Sequence, residues 1–251
     1  MIVDAYSHCG EHKYAPVAQV LAAMEEACVS RTVLCQHLAE YDNSYLANAV
    51  SQHPSRFKAV CLVDPGRPDA LAQLRRWKET GCFRGVRVLV QWLNENLDLY
   101  VSAMVMGLNL VVYAPDGIDS SVPRIMEAAR ACPPAKIVIS HLGTPKVVEG
   151  RLVDGRALFA LAETANVYVQ LSGQSMWCEY PYSVLDEFIT QTIERFGPSR
   201  LMWGSNFPVC GDGRAIQRDV ALVRAGSWGL DEDGAKWVIE GTAMHVWFDS
   251  H

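Results

Sequence analysis

The stretch from Ile137 to Gly143 reads IVISHLG, so a short apolar run passes directly into a serine, a histidine and a glycine. Short runs of Val, Ile or Leu without polar alternation are typical of parallel strands that are covered on both faces. The chain contains eight such runs: Ile2–Tyr6, Thr32–Gln36, Phe57–Val63, Gly85–Gln91, Leu108–Tyr113, Lys136–Ser140, Val167–Leu171 and Arg200–Ser205. They predict eight parallel strands spread over the whole chain.

Amphipathic stretches with apolar residues at three- and four-residue steps separate these runs. They predict helices over Val17–Cys28, Ala70–Thr80, Val122–Ala131, Ala157–Thr164 and Val184–Arg195, and a closing helix over Asp231–Phe248. Eight strand–helix repeats without a linker predict one α/β domain over residues 1–251, a single (β/α)8 TIM barrel. An open doubly wound sheet uses the same repeats, but only the barrel requires the first and last strands to pair.

Composition and charge exclude several classes of protein. Half of the residues are hydrophobic and the formal net charge is −6, without the clusters of Lys and Arg that nucleic-acid binding requires. The most apolar segment, Val101–Ala114, is interrupted by polar residues and is too short to cross a membrane. We therefore expect neither a nucleic acid nor a membrane as partner, whereas a homo-oligomer is compatible with the sequence.

Cysteine spacing and the first residues indicate the compartment. The eight cysteines include no C-x-x-C pair and no zinc-finger spacing, and the start MIVDAYSHCG does not resemble a signal peptide. These features predict reduced thiols and a cytoplasmic location.

Candidate site residues lie at the carboxyl ends of the predicted strands, where TIM barrels carry their active sites. If side chains alternate regularly, Asp4, Tyr6 and His8 share the inward face of the first strand. The alternative is that Asp4 is a hydrogen-bonded core carboxylate and His8 a loop residue. On the fourth strand Arg87 and Gln91 face inward, and a buried arginine requires an anionic partner.

That anionic partner is either the carboxylate of a substrate or an internal carboxylate, Asp4 or Asp64. His141 follows the sixth run directly and is placed at the barrel mouth. Gly204 and Asn206 share the inward face of the eighth strand, although Asn206 could instead cap the next turn.

The seventh strand and two loops contribute the remaining candidates. Gln170 and Ser172 share one face of the seventh strand, while Trp92 and Trp177 follow the fourth and seventh strands. These tryptophans could form an apolar wall for a planar substrate or could shield the top of the barrel.

Six of these strand ends, in this order, resemble motifs of the amidohydrolase-related family, in particular its small lactonase and dicarboxylate-hydrolase branch. The matching stretches are Val3–His8, Arg56–Pro65, Phe83–Arg87, Ser140–Gly143, Tyr168–Gly173 and Met202–Pro208. The resemblance covers nearly the whole chain and implies a TIM-barrel hydrolase.

Two departures from the family pattern concern its metal ligands. Tyr6 stands where the family has the first histidine of a His-x-His pair, and Asn206 stands where it has an aspartate. The fifth strand carries no histidine, so that His8 and His141 remain. An engineered Asp-to-Asn change would explain Asn206 but not Tyr6.

Two histidines, an amide and a phenol make a poor site for a divalent metal. We therefore predict no metal and no other cofactor, the alternative being one zinc or manganese ion held by His8 and His141.

The leading hypothesis is a metal-independent hydrolase of a small cyclic ester that bears a carboxylate, so that the partner is a small anionic organic molecule. Arg87 and Arg84 would hold the carboxylate, and His141 would activate water. Tyr6, His8 and Asn206 would polarise the ring carbonyl, while Asp4 would orient a neighbouring group. The remaining candidates for substrate contacts are Gln91, Tyr113, Gln170, Ser172 and Trp177. The alternatives are a decarboxylase or isomerase on the same barrel, and a non-catalytic barrel that binds a ligand or a partner chain.

Overall fold

The computed structural model describes residues 1–249, and its central feature is a barrel of eight parallel strands. In chain order the strands are β1 (Val3–Ser7), β2 (Arg31–Cys35), β3 (Phe57–Cys61), β4 (Phe83–Leu89), β5 (Asn109–Tyr113), β6 (Ile137–Ile139), β7 (Lys146–Val148), β8 (Arg151–Asp154), β9 (Val167–Leu171) and β10 (Leu201–Trp203). All except β7 and β8 form one sheet in the order β1-β2-β3-β4-β5-β6-β9-β10. β7 and β8 form a separate antiparallel hairpin that the sequence analysis did not predict.

The first and last strands close the barrel just beyond the regular end of β10. The Asn206 backbone amide donates to the Tyr6 carbonyl at 2.8 Å, and the His8 backbone amide donates to the Phe207 carbonyl at 2.8 Å. Ser7 and Phe207 form a parallel bridge. The predicted barrel is therefore confirmed, and the open sheet is excluded.

The helices surround this barrel. They are α1 (Val17–Glu26), α2 (Ser44–Gln52), α3 (Ala70–Glu79), α4 (Val90–Glu95), α5 (Leu97–Val105), α6 (Val122–Ala131), α7 (Asp186–Phe196), α8 (Gly213–Arg224) and α9 (Glu232–Lys236). The helix predicted over Ala157–Thr164 is a 3-10 helix, Arg156–Glu163. The closing helix continues beyond α9 in wide π turns over Trp237–Gly241 and Met244–Phe248. No helix in the described part of the chain is long and apolar enough to cross a membrane.

Two apolar layers fix the barrel. The inner layer fills the space inside the strands and includes Val33, Val60, Val111, Val138 and Met202. Trp247 packs at the lower end of this layer, where its indole nitrogen donates to the Met202 sulfur at 3.4 Å. It also lies against β4, because a Cβ atom at Gly85 would be only 3.1 Å from its ring. The outer layer packs the other strand faces against the helices. Since the lower interior is filled by side chains, polar groups collect at the carboxyl ends of the strands.

The regular alternation expected for β1 breaks at an irregularity between Asp4 and Ser7. Val3, Ala5 and Tyr6 all pack in the inner layer, whereas the Asp4 carboxylate contacts Ser205. The prediction that Asp4 shares a face with Tyr6 and His8 is therefore wrong, because a bulge places two successive side chains on one side.

Candidate active site

Tyr6, His8, Arg87 and His141 meet at the upper end of the barrel, and each is at most 5% exposed. The Tyr6 ring meets both histidines edge-on, with centroid distances of 5.0 Å to His8 and 4.7 Å to His141. The Arg87 guanidinium carbon lies 5.1 Å from the ring centroid of Tyr113 and 5.9 Å from that of Tyr6. Side chains from β1, β4, β5 and the segment after β6 thus form one cluster.

His8 has a fixed hydrogen-bonding arrangement. Its Nδ1 lies 2.7 Å from the Cys35 carbonyl oxygen, which can only accept a hydrogen bond, so Nδ1 carries the proton. The lone pair of the neutral ring is then on Nε2. Tyr14 stacks on this ring at a centroid distance of 4.7 Å, and it also meets His37 edge-on at 5.6 Å.

His141 lies on a tight turn after β6, where its φ is 52° and that of Leu142 is 55°. Its Nδ1 is 2.9 Å from the Ser172 hydroxyl, and this contact leaves Nε2 directed elsewhere. Gly173 is needed beside it, because a Cβ atom there would lie 2.8 Å from His141 Nδ1 and the glycine has a φ of 73°. β9 and the turn after it therefore position the His141 ring.

Both histidines are neutral near pH 7. Burial and then the nearby Arg87 charge lower the pKa of His141 to about 3. The same two causes hold the pKa of His8 well below its usual value. Burial also raises the pKa of Tyr6 well above its usual value, so its hydroxyl keeps its proton.

Arg87 is a buried cation without a carboxylate partner. Its Nη1 donates to the Gln36 carbonyl at 2.8 Å, its Nε is buried without a hydrogen bond, and it forms no ion pair within residues 1–249. The internal alternatives fail, because Asp4 binds Ser205 and Asp64 accepts from the Gly66 amide at 2.9 Å.

The Tyr6 hydroxyl is likewise buried, and the polar side chain beside it is the Cys35 thiol, a weak hydrogen-bond partner that leaves the phenol poorly satisfied. Unsatisfied buried donors are costly, so a guanidinium and a phenol in this state indicate a site prepared for an anion.

Asn206 completes the cluster from the β10 side. It adopts a φ of 54°, which asparagine tolerates better than most residues, and its amide nitrogen lies 3.8 Å from the Met176 sulfur. Gly204 allows the close approach of β10, because a Cβ atom there would lie 2.8 Å from Tyr6 Cβ. Met176, rather than Trp177, is the apolar residue that touches the site.

Three other candidates have defined positions. Gln170 is fully buried and donates to the Ala5 carbonyl at 2.9 Å, which places it beneath the mouth. Tyr113 meets the His141 ring at 5.7 Å as well as Arg87. Trp177 lines an outer cleft of about 650 Å³ together with Tyr180, Tyr182 and Arg218.

Two sequence predictions are wrong in their placement. Arg84 lies at the amino-terminal start of β4, about 10 Å along the strand from Arg87, so it lies towards the opposite end of the barrel. Gln91 belongs to α4 because the strand ends at Leu89, and it is exposed, 3.5 Å from Asp116.

Sequence reasoning missed four residues of the site: Tyr14, Cys35, His37 and Met176. Cys35 lies within a predicted strand, Thr32–Gln36, and could have been found by its inward register. The other three lie in loops, which lack the regular side-chain alternation from which the direction of a side chain can be predicted.

The residues present do not fit a divalent metal. Within residues 1–249 no three His, Cys, Asp or Glu side chains converge on one point. His8 and His141 could offer one Nε2 each, but the nearby Arg87 charge, which lowers the pKa of both, would also repel a cation. Neutral Tyr6 and Asn206 supply no compensating negative charge.

Comparison with known proteins agrees with this fold and arrangement. Residues 6–248 match the family model described as "Amidohydrolase", so the chain belongs to the amidohydrolase family. This finding confirms the resemblance seen in the strand-end motifs and the expected membership of that superfamily of enzymes.

The chain is 30% identical over 192 residues to the L-fucono-1,5-lactonase of Burkholderia ambifaria, a match covering 72% of this chain and 66% of the lactonase. It is 24% identical over 240 residues to a 2-pyrone-4,6-dicarboxylate hydrolase of Comamonas testosteroni, covering 82% and 76% of the two chains. The structure also superposes, with a TM-score of 0.75 and 18% identity over 98% of both chains, on a probable 2-pyrone-4,6-dicarboxylic acid hydrolase of Acinetobacter baumannii with citric acid bound.

Proposed function

We propose that this protein is a metal-independent hydrolase of a small cyclic ester, a lactone, that bears a carboxylate. The observation that carries the proposal is the buried Arg87 guanidinium, which has no ion pair within the described residues and lies beside two neutral histidines. A substrate carboxylate would supply the missing charge and accept from Arg87 Nε.

The relatives support the hydrolytic reaction. One is named as a lactonase and the other as a hydrolase of a pyrone dicarboxylate. A site with one unpaired cation and hydrogen-bond donors fits a ring ester that carries negative charge.

Three residues then have defined roles in the proposed reaction: His141, Tyr6 and Asn206. The predicted role of His8 as a donor to the ring carbonyl is wrong, because the one proton of its neutral ring is on Nδ1 and is donated to the Cys35 carbonyl. The oxygen of water attacks the ring carbonyl carbon while His141 Nε2 takes a proton from that water. The Tyr6 hydroxyl and the Asn206 amide donate to the carbonyl oxygen as it gains negative charge. The ring C–O bond then breaks, and the leaving ring oxygen receives the proton from His141, which gives a hydroxy acid.

Arg87 also couples substrate binding to the basicity of His141. In the free protein burial is the main cause of the low pKa of His141, and the Arg87 charge lowers it further. A bound carboxylate would offset that charge, and the pKa of His141 would rise towards the range in which a base is effective near neutral pH. An anionic substrate would thereby prepare the base that activates the attacking water.

Turnover of a panel of lactones, with and without a carboxylate, tests this function. We expect activity on carboxylated lactones and a much lower kcat/KM on neutral analogues. Arg87→Lys should mainly raise KM for the carboxylated lactones, because lysine cannot reproduce a planar two-point contact. It should change the neutral analogues little.

Reactions in oxygen-18 water separate the alternatives. Hydrolysis incorporates one labelled oxygen into the product carboxylate. Product without label would indicate a decarboxylase or isomerase, and binding without turnover across the panel would indicate a non-catalytic barrel.

Metal independence has its own test. We expect elemental analysis of active protein, purified without a chelator, to find no stoichiometric zinc or manganese. Activity should survive prolonged treatment with a chelator. Stoichiometric metal that is lost together with activity would contradict this part of the proposal and leave the hydrolytic part standing.

A further inference from the structure

A second polar cleft lies at the amino-terminal end of the barrel, opposite the candidate active site. It has a volume of about 680 Å³, and its lining includes Lys78, Arg84, Asn109, Lys136 and Trp247. Trp247 forms the floor that separates it from the inner layer of the barrel.

The cations of this cleft lack ion-pair partners in the part of the chain that the structure describes. Lys78, Arg84 and Lys136 are half-buried, and none of them forms an ion pair within residues 1–249. Arg84 Nε is buried without any hydrogen bond, while Lys78 Nζ donates only to the Gly107 carbonyl at 3.0 Å. Among the described residues that line the cleft, Asp249 is the one carboxylate, and its contact is with His245 at 4.0 Å.

Their positive charges act on one another. Burial and then the Arg84 charge lower the pKa of Lys78 and of Lys58, which lies outside the cleft wall on β3. Like charges held together without partners are destabilising, unless an anion binds between them.

We propose that this cleft is a second anion site, which binds a small multivalent oxyanion through Arg84, Lys78 and Lys136. Arg84 offers a planar set of donors suited to a carboxylate or phosphate, and the two lysines in the lining add point charges. The cleft volume accommodates a di- or tricarboxylate or a phosphate ester. The site does not depend on the proposed reaction, because it shares no residue with the candidate active site.

Calorimetric titration with citrate and, separately, with inorganic phosphate tests the proposal. Arg87→Gln protein is used so that the candidate active site does not contribute to the signal. We expect one binding event per chain with a Kd below about 1 mM. The double variant R84Q/K136Q, made in the same background, should bind at least about tenfold more weakly. Tighter binding of citrate would identify a polycarboxylate ligand, and tighter binding of phosphate a phosphate ester.

The matched control is K146Q/R151Q, which removes one lysine and one arginine from the exposed hairpin β7–β8. It should leave anion binding unchanged. R84Q/K136Q in the wild-type background should keep its thermal melting profile and its turnover, since neither residue lies near the mouth. The proposal is overturned if Arg87→Gln protein binds neither anion, or if both double variants weaken binding equally.

Discussion

His141 is the residue on which the proposed chemistry most depends. Its Nδ1 contacts the Ser172 hydroxyl, and in the tautomer in which Nδ1–H donates to that hydroxyl, Nε2 carries the lone pair that a general base needs. We expect His141→Gln to lower kcat by about 10²–10⁴-fold, the usual cost of losing a general base. Steady-state kinetics on a carboxylated lactone measures the effect.

Two comparisons make this prediction specific. His12→Gln changes a histidine whose side chain is 89% exposed and should leave kcat unchanged. Thermal denaturation of His141→Gln should differ little from that of the parent protein. If His141→Gln keeps most of the activity, the base is His8, whose Nε2 carries a lone pair; if it unfolds the chain, His141 is a structural residue.

The position of a residue that directly follows a strand could be predicted from the sequence, because the carboxyl ends of all eight parallel strands lie at the same end of the barrel. His141 and Asn206 were placed in this way. Asp4 could not be placed, because alternation is a rule for regular strands and a bulge in β1 breaks it. Tyr14 and Met176 could not be found either, since they reach the site from loops.

At the scale of elements, the closure between β1 and β10 depends on the Asp4 carboxylate. It accepts hydrogen bonds from the Ser205 hydroxyl at 2.6 Å, the Ser205 amide at 2.8 Å and the Tyr6 amide at 3.1 Å. Burial raises the pKa of Asp4 to about 6, although these hydrogen bonds lower it. Asp4 therefore stabilises the closure through the hydrogen bonds that its carboxylate oxygens accept rather than through its negative charge.

Replacing Asp4 separates these two contributions. Asp4→Ala leaves three buried donors without an acceptor, and we expect it to reduce the free energy of unfolding by about 2–4 kcal/mol. Asp4→Asn keeps one oxygen acceptor and should cost less than about 1 kcal/mol. Urea denaturation measures both.

Asp154→Ala, which removes an exposed hairpin carboxylate, is the control and should have little effect. Equal losses for Asp4→Ala and Asp4→Asn would instead show that the charge itself is required.

The elements themselves were predictable where hydrophobic pattern and burial agree. The eight apolar runs became the eight barrel strands because both of their faces are covered. The end of β4 was misplaced because the apolar run continues through Val90, which begins α4. The hairpin β7–β8 could not be recognised in the sequence, because each of its short strands turns only one apolar residue, Val147 or Leu152, towards the core, which is too few to show a period.

For the whole molecule, the buried titratable groups set how stability depends on pH. His141 has a pKa of about 3 in the folded protein and about 6.5 when unfolded, so the unfolded chain binds more protons between these values. His141 therefore makes stability fall as pH decreases through this window, and His8 acts in the same direction. Asp4 acts oppositely: its folded pKa of about 6 exceeds the unfolded value of 3.8, so its contribution is lost as pH rises from about 4 to about 6.

Two variants resolve these opposing contributions. When the unfolded and the folded states differ by one bound proton, the free energy of unfolding changes by about 1.4 kcal/mol per pH unit. Between about pH 4 and about pH 6, His141→Gln should lower the slope of stability against pH by up to that amount. Asp4→Asn should raise the slope by up to the same amount, because it removes the opposing group.

Urea denaturation at several pH values measures the slope for the parent protein and for the two variants. The contribution of surface carboxylates cancels when the slopes are compared, because all three proteins share these groups. A slope unchanged by His141→Gln would mean that the histidine already carries a proton in the folded protein. Burial would then not keep the imidazole neutral in this pH range, and it could act as a base only at a higher pH, near its ordinary pKa.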